Sequence, residues 1–384
     1  MRYIIYLLVV GSLVGYNYKI VTGFTWADVM CLSLLLISIV NHIQRRWKMD
    51  RLCRLSALYL PCMLAAAIIN SELTNTIFIN YFRNYLWGGL VYNALSNSIH
   101  SMKDIKWFLL FATAFIAVFL FNFRDMMTET QYNTINTLDF GYGRNNVAFT
   151  ALLLAIVFEF LYYAKITRAY ILLGVVLMAI IIVFCASRYA MIMLLISFFI
   201  YRINSNIKIR LSEIFSYVVF ICIAIVIYNY VIGFIDTSFF EYSREYLNQK
   251  ISRSGEDFYD TRIVAINVQP ISDLIMSENK LALLFGVPEA IQHSFFSHTL
   301  ITTGVIGCLC YLITQIKVLT LTYRFKGVYI FLFIVVLVMF LNDFITNARF
   351  IVGVNSMLYG VICAILYKYI QINEDTSISF RIHR

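Results

Sequence analysis

His293 and Ser294 stand nine residues ahead of Gly304-Val305-Ile306-Gly307. An imidazole titrates near neutral pH, so it can take or orient the proton of an attacking hydroxyl. A set of arginines offers the complementary chemistry. They are Arg144 in Gly141-Tyr142-Gly143-Arg144-Asn145-Asn146, Arg188 in Ala186-Ser187-Arg188-Tyr189, Arg253 and Arg262 in a long polar segment, and Arg349 in Asn347-Ala348-Arg349. The planar guanidinium grips phosphate oxygens in pairs and never loses its charge. A base beside such a set suits group transfer with a diphosphate leaving group. Each arginine alone equally suits anchoring to a lipid phosphate, and His293 alone suits an interfacial helix cap. His298 lies about 140° around a helix from His293, so it reads as a cavity wall or a cap.

The elements that hold these residues are membrane helices. Hydrophobic residues make up 61% of the 384 and charged residues 13%, and the mean hydropathy is +0.78. A soluble domain carries about 25% charge. We therefore expect an all-α, polytopic integral membrane protein, one transmembrane domain over 1–384. Twelve apolar segments mark its spans: 3–17, 26–43, 55–69, 76–97, 107–123, 145–163, 169–186, 189–201, 214–235, 297–318, 328–341 and 350–368. The shortest can be tilted, merged or re-entrant. The long loop over 236–295 contains Pro270 and Pro288, and its stretches 238–252, 258–269 and 271–284 read as short amphipathic helices.

Lysine and arginine set the expected orientation. Nineteen of the thirty, including Arg2, Arg45, Arg46, Lys48, Arg51, Arg54, Lys103, Lys106, Lys165, Arg324, Lys326 and Lys368, fall on the side of both termini. That side is the cytoplasm, and the long loop with the arginines named above is outside. The net charge of +9 is thus a topology signal with anionic lipids as its neighbours, not a nucleic-acid footprint. No cysteine falls in the outer loop, so none is expected in a disulfide there. Metal-ligand spacings, a Walker sequence and a dinucleotide fingerprint are all missing, so no cofactor or metal is expected. Two charges sit inside spans, Arg83 and Glu159. Arg83 either faces a cavity as a substrate-binding group or pairs structurally, and Glu159 either functions or reaches back to the inner interface.

The segment from His293 to Gly307 resembles the His-[Asn/Ser/Gln]-x9-Gly-x-x-[Gly/Thr/Tyr] signature of the superfamily of O-antigen polymerases, O-antigen ligases and pilin oligosaccharyltransferases. Ser187-Arg188 at the head of a span, an arginine ahead of a glycine turn in the loop (Arg262 before Gly286-Val287-Pro288), the span count and the late loop are also similar to that family. No tryptophan follows Arg262 and the turn has a single glycine, so the choice between Arg253 and Arg262 stays open. The resemblance implies a GT-C-like architecture of about 12 transmembrane helices in the bacterial inner membrane. It also implies a metal-independent, inverting transfer from undecaprenyl pyrophosphate at the periplasmic face. His293, Arg262 and Arg188 would be catalytic, with Arg144, Arg253, Arg349 and Arg83 binding substrate. The expected partners are an undecaprenyl-pyrophosphate-linked oligosaccharide, membrane lipids and a chain-length regulator protein. A polymerase is the expected member. A ligase to the lipid A core, or a flippase for lipid-linked oligosaccharide, is the alternative.

Overall fold

The carboxylate of Asp28 accepts both the backbone N–H and the hydroxyl of Thr25, at 2.8 and 2.9 Å, and so closes the first turn of a helix. In the computed structural model this helix is α2 (Trp26–Ile43). A short antiparallel hairpin, Lys19–Val21 against Phe24–Thr25, connects it to α1 (Arg2–Gly15). The structure describes residues 1–16, 18–21, 24–70, 76–128, 144–166, 170–185, 187–204, 269–276, 280–286, 295–345 and 353–382.

Asp50 accepts the Cys53 amide and starts α3 (Arg51–Ala57). The expected span over 55–69 falls within the apolar stretch Arg51–Ile69, which is long enough to cross a membrane, but its helix is interrupted at Leu58, because Pro61 has no N–H for the carbonyl of Ala57. The chain restarts at Leu58 as α4 (Tyr59–Ile69), with the proline in its tolerant first turn. Next come α5 (Thr76–Ser98), α6 (Met102–Thr128), α7 (Arg144–Tyr163), α8 (Tyr170–Phe184) and α9 (Arg188–Asn204). The expected helices over 238–252 and most of 258–269, and the span over 214–235, lie outside the described residues. The stretch 271–284 is not one helix but two, α10 (Gln269–Met276) and α11 (Lys280–Phe285). Then follow α12 (Phe295–Tyr323), a 3-10 turn (Gly327–Ile330), α13 (Phe331–Ile345) and α14 (Gly353–Ile382).

Seven stretches among the described residues are long and apolar enough to cross a membrane, which makes the chain a helical, multi-pass membrane protein. Helix α5 is long enough and is not one of them. It carries Asn80, Arg83, Asn84, Asn93 and Asn97, and it can sit in a membrane only behind other helices. It does so against α2, α4 and above all α14. Gly88 of α5 sits under Ser356 of α14, where a Cβ would stand 2.8 Å from the Ser356 carbonyl oxygen. Gly360 in turn faces the carbonyl of Gly88. Small residues permit this backbone approach where apolar solvent gives no drive to associate. Of the apolar windows, 83% of α14 and 72% of α7 is buried within the molecule, against 22% of α6. The first two are therefore central, and α6 faces outward.

The helices run up and down between two ends. At one end Arg2 pairs with Asp104 at 2.7 Å, the Lys48 amide donates to Asn97, and the Gly327 amide donates to Asn204. Tyr163 also stacks on Tyr201 there at 4.0 Å. Most of the chain's described basic residues are at this end. The opposite end gathers the heads of α2, α5, α7, α9 and α14 with the tails of α1, α4 and α13.

Candidate functional site

Of the site residues inferred from sequence, the structure describes Arg83, Arg144 and Arg188. Arg188 is the first residue of α9 and Arg144 the first of α7. The two helices pack with their tails joined through Tyr163 and Tyr201, so their heads share one end. The head of α7 meets that of α14 through the Thr150 hydroxyl, which donates to Asn355 Oδ1 at 2.7 Å. The head of α9 meets α13 through Tyr189, whose hydroxyl donates to the Val338 carbonyl at 2.7 Å. Helix heads carry a partial positive charge, which adds to what arginines offer an anion. His293, Arg253, Arg262 and Arg349 lie outside the described residues.

Arg83 lies on α5 with its Nη1 3.4 Å from Asp28 Oδ2. Its side chain is 18% exposed and that of Asp28 3%. The same carboxylate accepts Trp87 Nε1 at 2.9 Å, in addition to the two donors of Thr25. Next to them Tyr16 reaches the Gly353 backbone and the Asn84 side chain. Of the two sequence alternatives for Arg83, the pair with Asp28 is the one the geometry contains. Glu159 is likewise enclosed by protein. It is 9% exposed and faces Ser197 of α9.

The signature glycine does backbone work. Gly304 has φ 65° and ψ −169°, which splits α12 into two helical pieces. This region of backbone space is open essentially to glycine alone. The second piece, 305–323, rises about 28 Å and is by itself enough to span a hydrocarbon core. The space at the break is filled by the tail of α11. A Cβ on Gly304 would collide with the Leu284 carbonyl, and one on Gly286 with the backbone of Ile301 and Thr302. Gly286, at φ 82°, ends α11 by donating to the Ala282 carbonyl at 2.7 Å. Asn70, past the end of α4, donates to the Phe285 carbonyl at 3.3 Å. Two glycines from separate parts of the sequence thus form one junction.

Because α12 is broken, its first piece leans over α4 and α5. Phe296 stacks on Phe344 at 4.9 Å, while Tyr311, about 22 Å further along an unbroken helix, donates its hydroxyl to the neighbouring Asp343. His298 lies flat on Tyr81, with ring centroids 3.9 Å apart and planes 17° apart. Tyr59 faces the Thr299 and Thr303 hydroxyls and meets Tyr85 and Tyr311, each at 5.4 Å. His298 is 4% exposed, and its Nδ1 is buried without a hydrogen-bond partner.

Asn342 and Asp343 lie on α13, just past the expected span over 328–341. Both are buried, and Asp343 is the acceptor of a buried tyrosine hydroxyl. Asp28 was missed altogether, although Thr25-x-x-Asp28 before an apolar run is a legible helix start. Among the described residues no three His, Cys, Asp or Glu side chains come together as a metal site. No protein-family model matches the chain, and neither a curated protein nor a solved structure matches it.

Proposed function

We propose that this protein is an O-antigen polymerase of the bacterial inner membrane, with about twelve spans in a GT-C-like arrangement and both termini in the cytoplasm. It transfers a growing glycan from undecaprenyl pyrophosphate to a lipid-linked repeat unit at the periplasmic face. The observation that carries this reading is the signature His293-Ser294-x9-Gly304-x2-Gly307. Its glycine breaks α12 at the end of the bundle where Arg144 and Arg188 open their helices.

The chemistry asks for two things. A pyrophosphate leaving group develops charge that fixed cationic donors stabilise, and Arg188 and Arg262 are assigned to it. An acceptor hydroxyl must lose a proton, and His293 is assigned to receive or orient it. Arg144, Arg253 and Arg349 are assigned to substrate binding. For Arg83 the pair with Asp28 favours a supporting role over direct substrate binding. The partners are the lipid-linked oligosaccharide, the surrounding lipids and a regulator of chain length.

The test is His293→Ala in cells, with protein level checked in the membrane fraction. The expected result is single-repeat lipid-linked units at the outer leaflet and lipopolysaccharide carrying at most one repeat. Long polymer held on the carrier, with bare core at the surface, would instead identify a ligase. Units trapped at the inner leaflet would identify a flippase. Arg188→Lys and Arg262→Lys keep charge but lose the paired donor geometry, so polymer should fall strongly in both. Normal polymer length in Arg262→Lys at normal protein level would move that role to Arg253.

A further inference from the structure

We infer that His298 holds a sugar hydroxyl of the glycan through Nδ1, as a binding and positioning group distinct from His293. The inference rests on the polymerase reading for the identity of the glycan, and on the geometry around Tyr81 for the site.

A buried nitrogen without a partner is costly, about 1–3 kcal/mol of desolvation, and such groups in folded proteins are rarely left unused. His298 Nδ1 is one. The ring cannot easily turn away from its position, because it lies against Tyr81 at 3.9 Å in a near-parallel stack. Tyr81, on which it stacks, belongs to a buried cluster with Tyr59, Tyr85 and Tyr311, and Tyr59 faces the Thr299 and Thr303 hydroxyls. Aromatic faces beside hydroxyl groups suit a pyranose, which presents C–H on its faces and O–H on its rim. A neutral imidazole nitrogen donates in one tautomer and accepts in the other, and an alcohol satisfies either. A phosphate oxygen can only accept. It would satisfy only the Nδ1–H tautomer, and burying a charged diphosphate beside this aromatic cluster costs far more than burying a neutral hydroxyl, so the ligand chemistry is a glycan hydroxyl.

Access comes from the construction of α12. His298 belongs to the piece ahead of Gly304, where the backbone break meets the tail of α11. Binding therefore requires this piece to turn about Gly304 and bring the buried Nδ1 to the glycan, and that turn is part of the inference.

Two substitutions separate the nitrogen from the ring. His298→Phe keeps the stack on Tyr81 and removes the polar atom. His298→Asn loses the stack and keeps a polar atom near the Nδ1 position. Full-length wild type and both variants would be placed in lipid nanodiscs. The probe is free repeat-unit oligosaccharide, released by mild acid from the cells' own lipid-linked pool. Glycan should raise the melting temperature of wild type and of His298→Asn, and leave His298→Phe unmoved. With lipid-linked units as substrate, His298→Phe should raise the acceptor KM about 5- to 10-fold, the value of one neutral hydrogen bond, with kcat nearly unchanged. A wild-type KM and glycan shift in His298→Phe would overturn the inference. So would a fall in its melting temperature without glycan equal to that of His298→Asn, because the role would then be packing. If wild type binds the glycan through His298 yet makes no polymer from lipid-linked units, the polymerase reading falls and the binding site stands.

Discussion

Arg83 and Asp28 make a charge pair inside the bundle, and removing one member leaves the other without its counter-charge in a poor solvent for ions. Breaking such a pair typically costs about 3–5 kcal/mol. Arg83→Met should therefore lower the melting temperature of the purified protein sharply. Adding Asp28→Asn, which drops the charge and keeps one acceptor oxygen, for Trp87 or for Thr25 but not both, should recover part of the loss. Fluorescence-detected gel filtration after heating measures both. If Arg83→Met melted like wild type but made no polymer, Arg83 would belong with the substrate-binding arginines. Sequence could show that Arg83 sits badly with lipid, because charge is a property of one residue. It could not show Asp28 as its partner, or Asp343 under the Tyr311 hydroxyl, because those pairings arise only when distant helices meet. His298 was legible only as a residue off the face of His293. Its stack on Tyr81 depends on a fold in α12 that no local pattern announces.

At the scale of elements, the junction of α11 with the break in α12 makes the most direct demand on the sequence. Gly304→Ala forces a Cβ into a backbone region that costs about 1–3 kcal/mol for other residues, and adds a collision with Leu284. Gly286→Ala meets the same wall from the other side. Both should reduce the folded yield in mild detergent. Gly89→Ala is the control, since nothing lies within 4 Å of its Cβ position, and it should be neutral or slightly stabilising. A second check uses native residues. Cys62 on α4 and Cys310 on α12 both approach the Leu58 carbonyl, at 3.9 and 3.5 Å, and their thiols meet. Copper phenanthroline applied to membranes should join them into a disulfide that links peptides around residues 62 and 310. Failure to cross-link would mean that α4 and the second piece of α12 do not pack this way. The glycines of the signature were visible in sequence, as was Pro61, but each was read as part of a continuous span. Hydropathy reports how apolar a stretch is and is blind to the dihedral that divides it.

At the scale of the molecule, the up-and-down course of the chain was legible because long apolar runs have few other structural solutions. The separation of basic residues toward one end followed from the same pattern. An alkaline phosphatase fusion near residue 265 should be active and one near residue 50 inactive. Opposite readings would reverse the orientation and remove the outer arginines from the outer leaflet. What composition could not reveal is which helix lies at the centre. Helix α5 reads as a weak span, and its polarity is tolerated because α14 covers it.

That cover arrives late. Helix α5 leaves the ribosome long before α14, and at about 5–20 residues per second the delay is roughly 15–50 s. During that time its asparagines and Arg83 have only α1 to α4 beside them and lack the helix that covers them most, so the nascent chain must be held at the translocon or by an insertase until α14 closes over it. A gene ending after residue 345 should therefore give a product cleared by membrane proteolysis, however apolar the remaining spans. Gly88→Leu, which blocks the seat beneath Ser356, should show the same rapid turnover in a pulse-chase experiment even with α14 present. A long-lived truncated chain would show that α5 finds its place without its final partner.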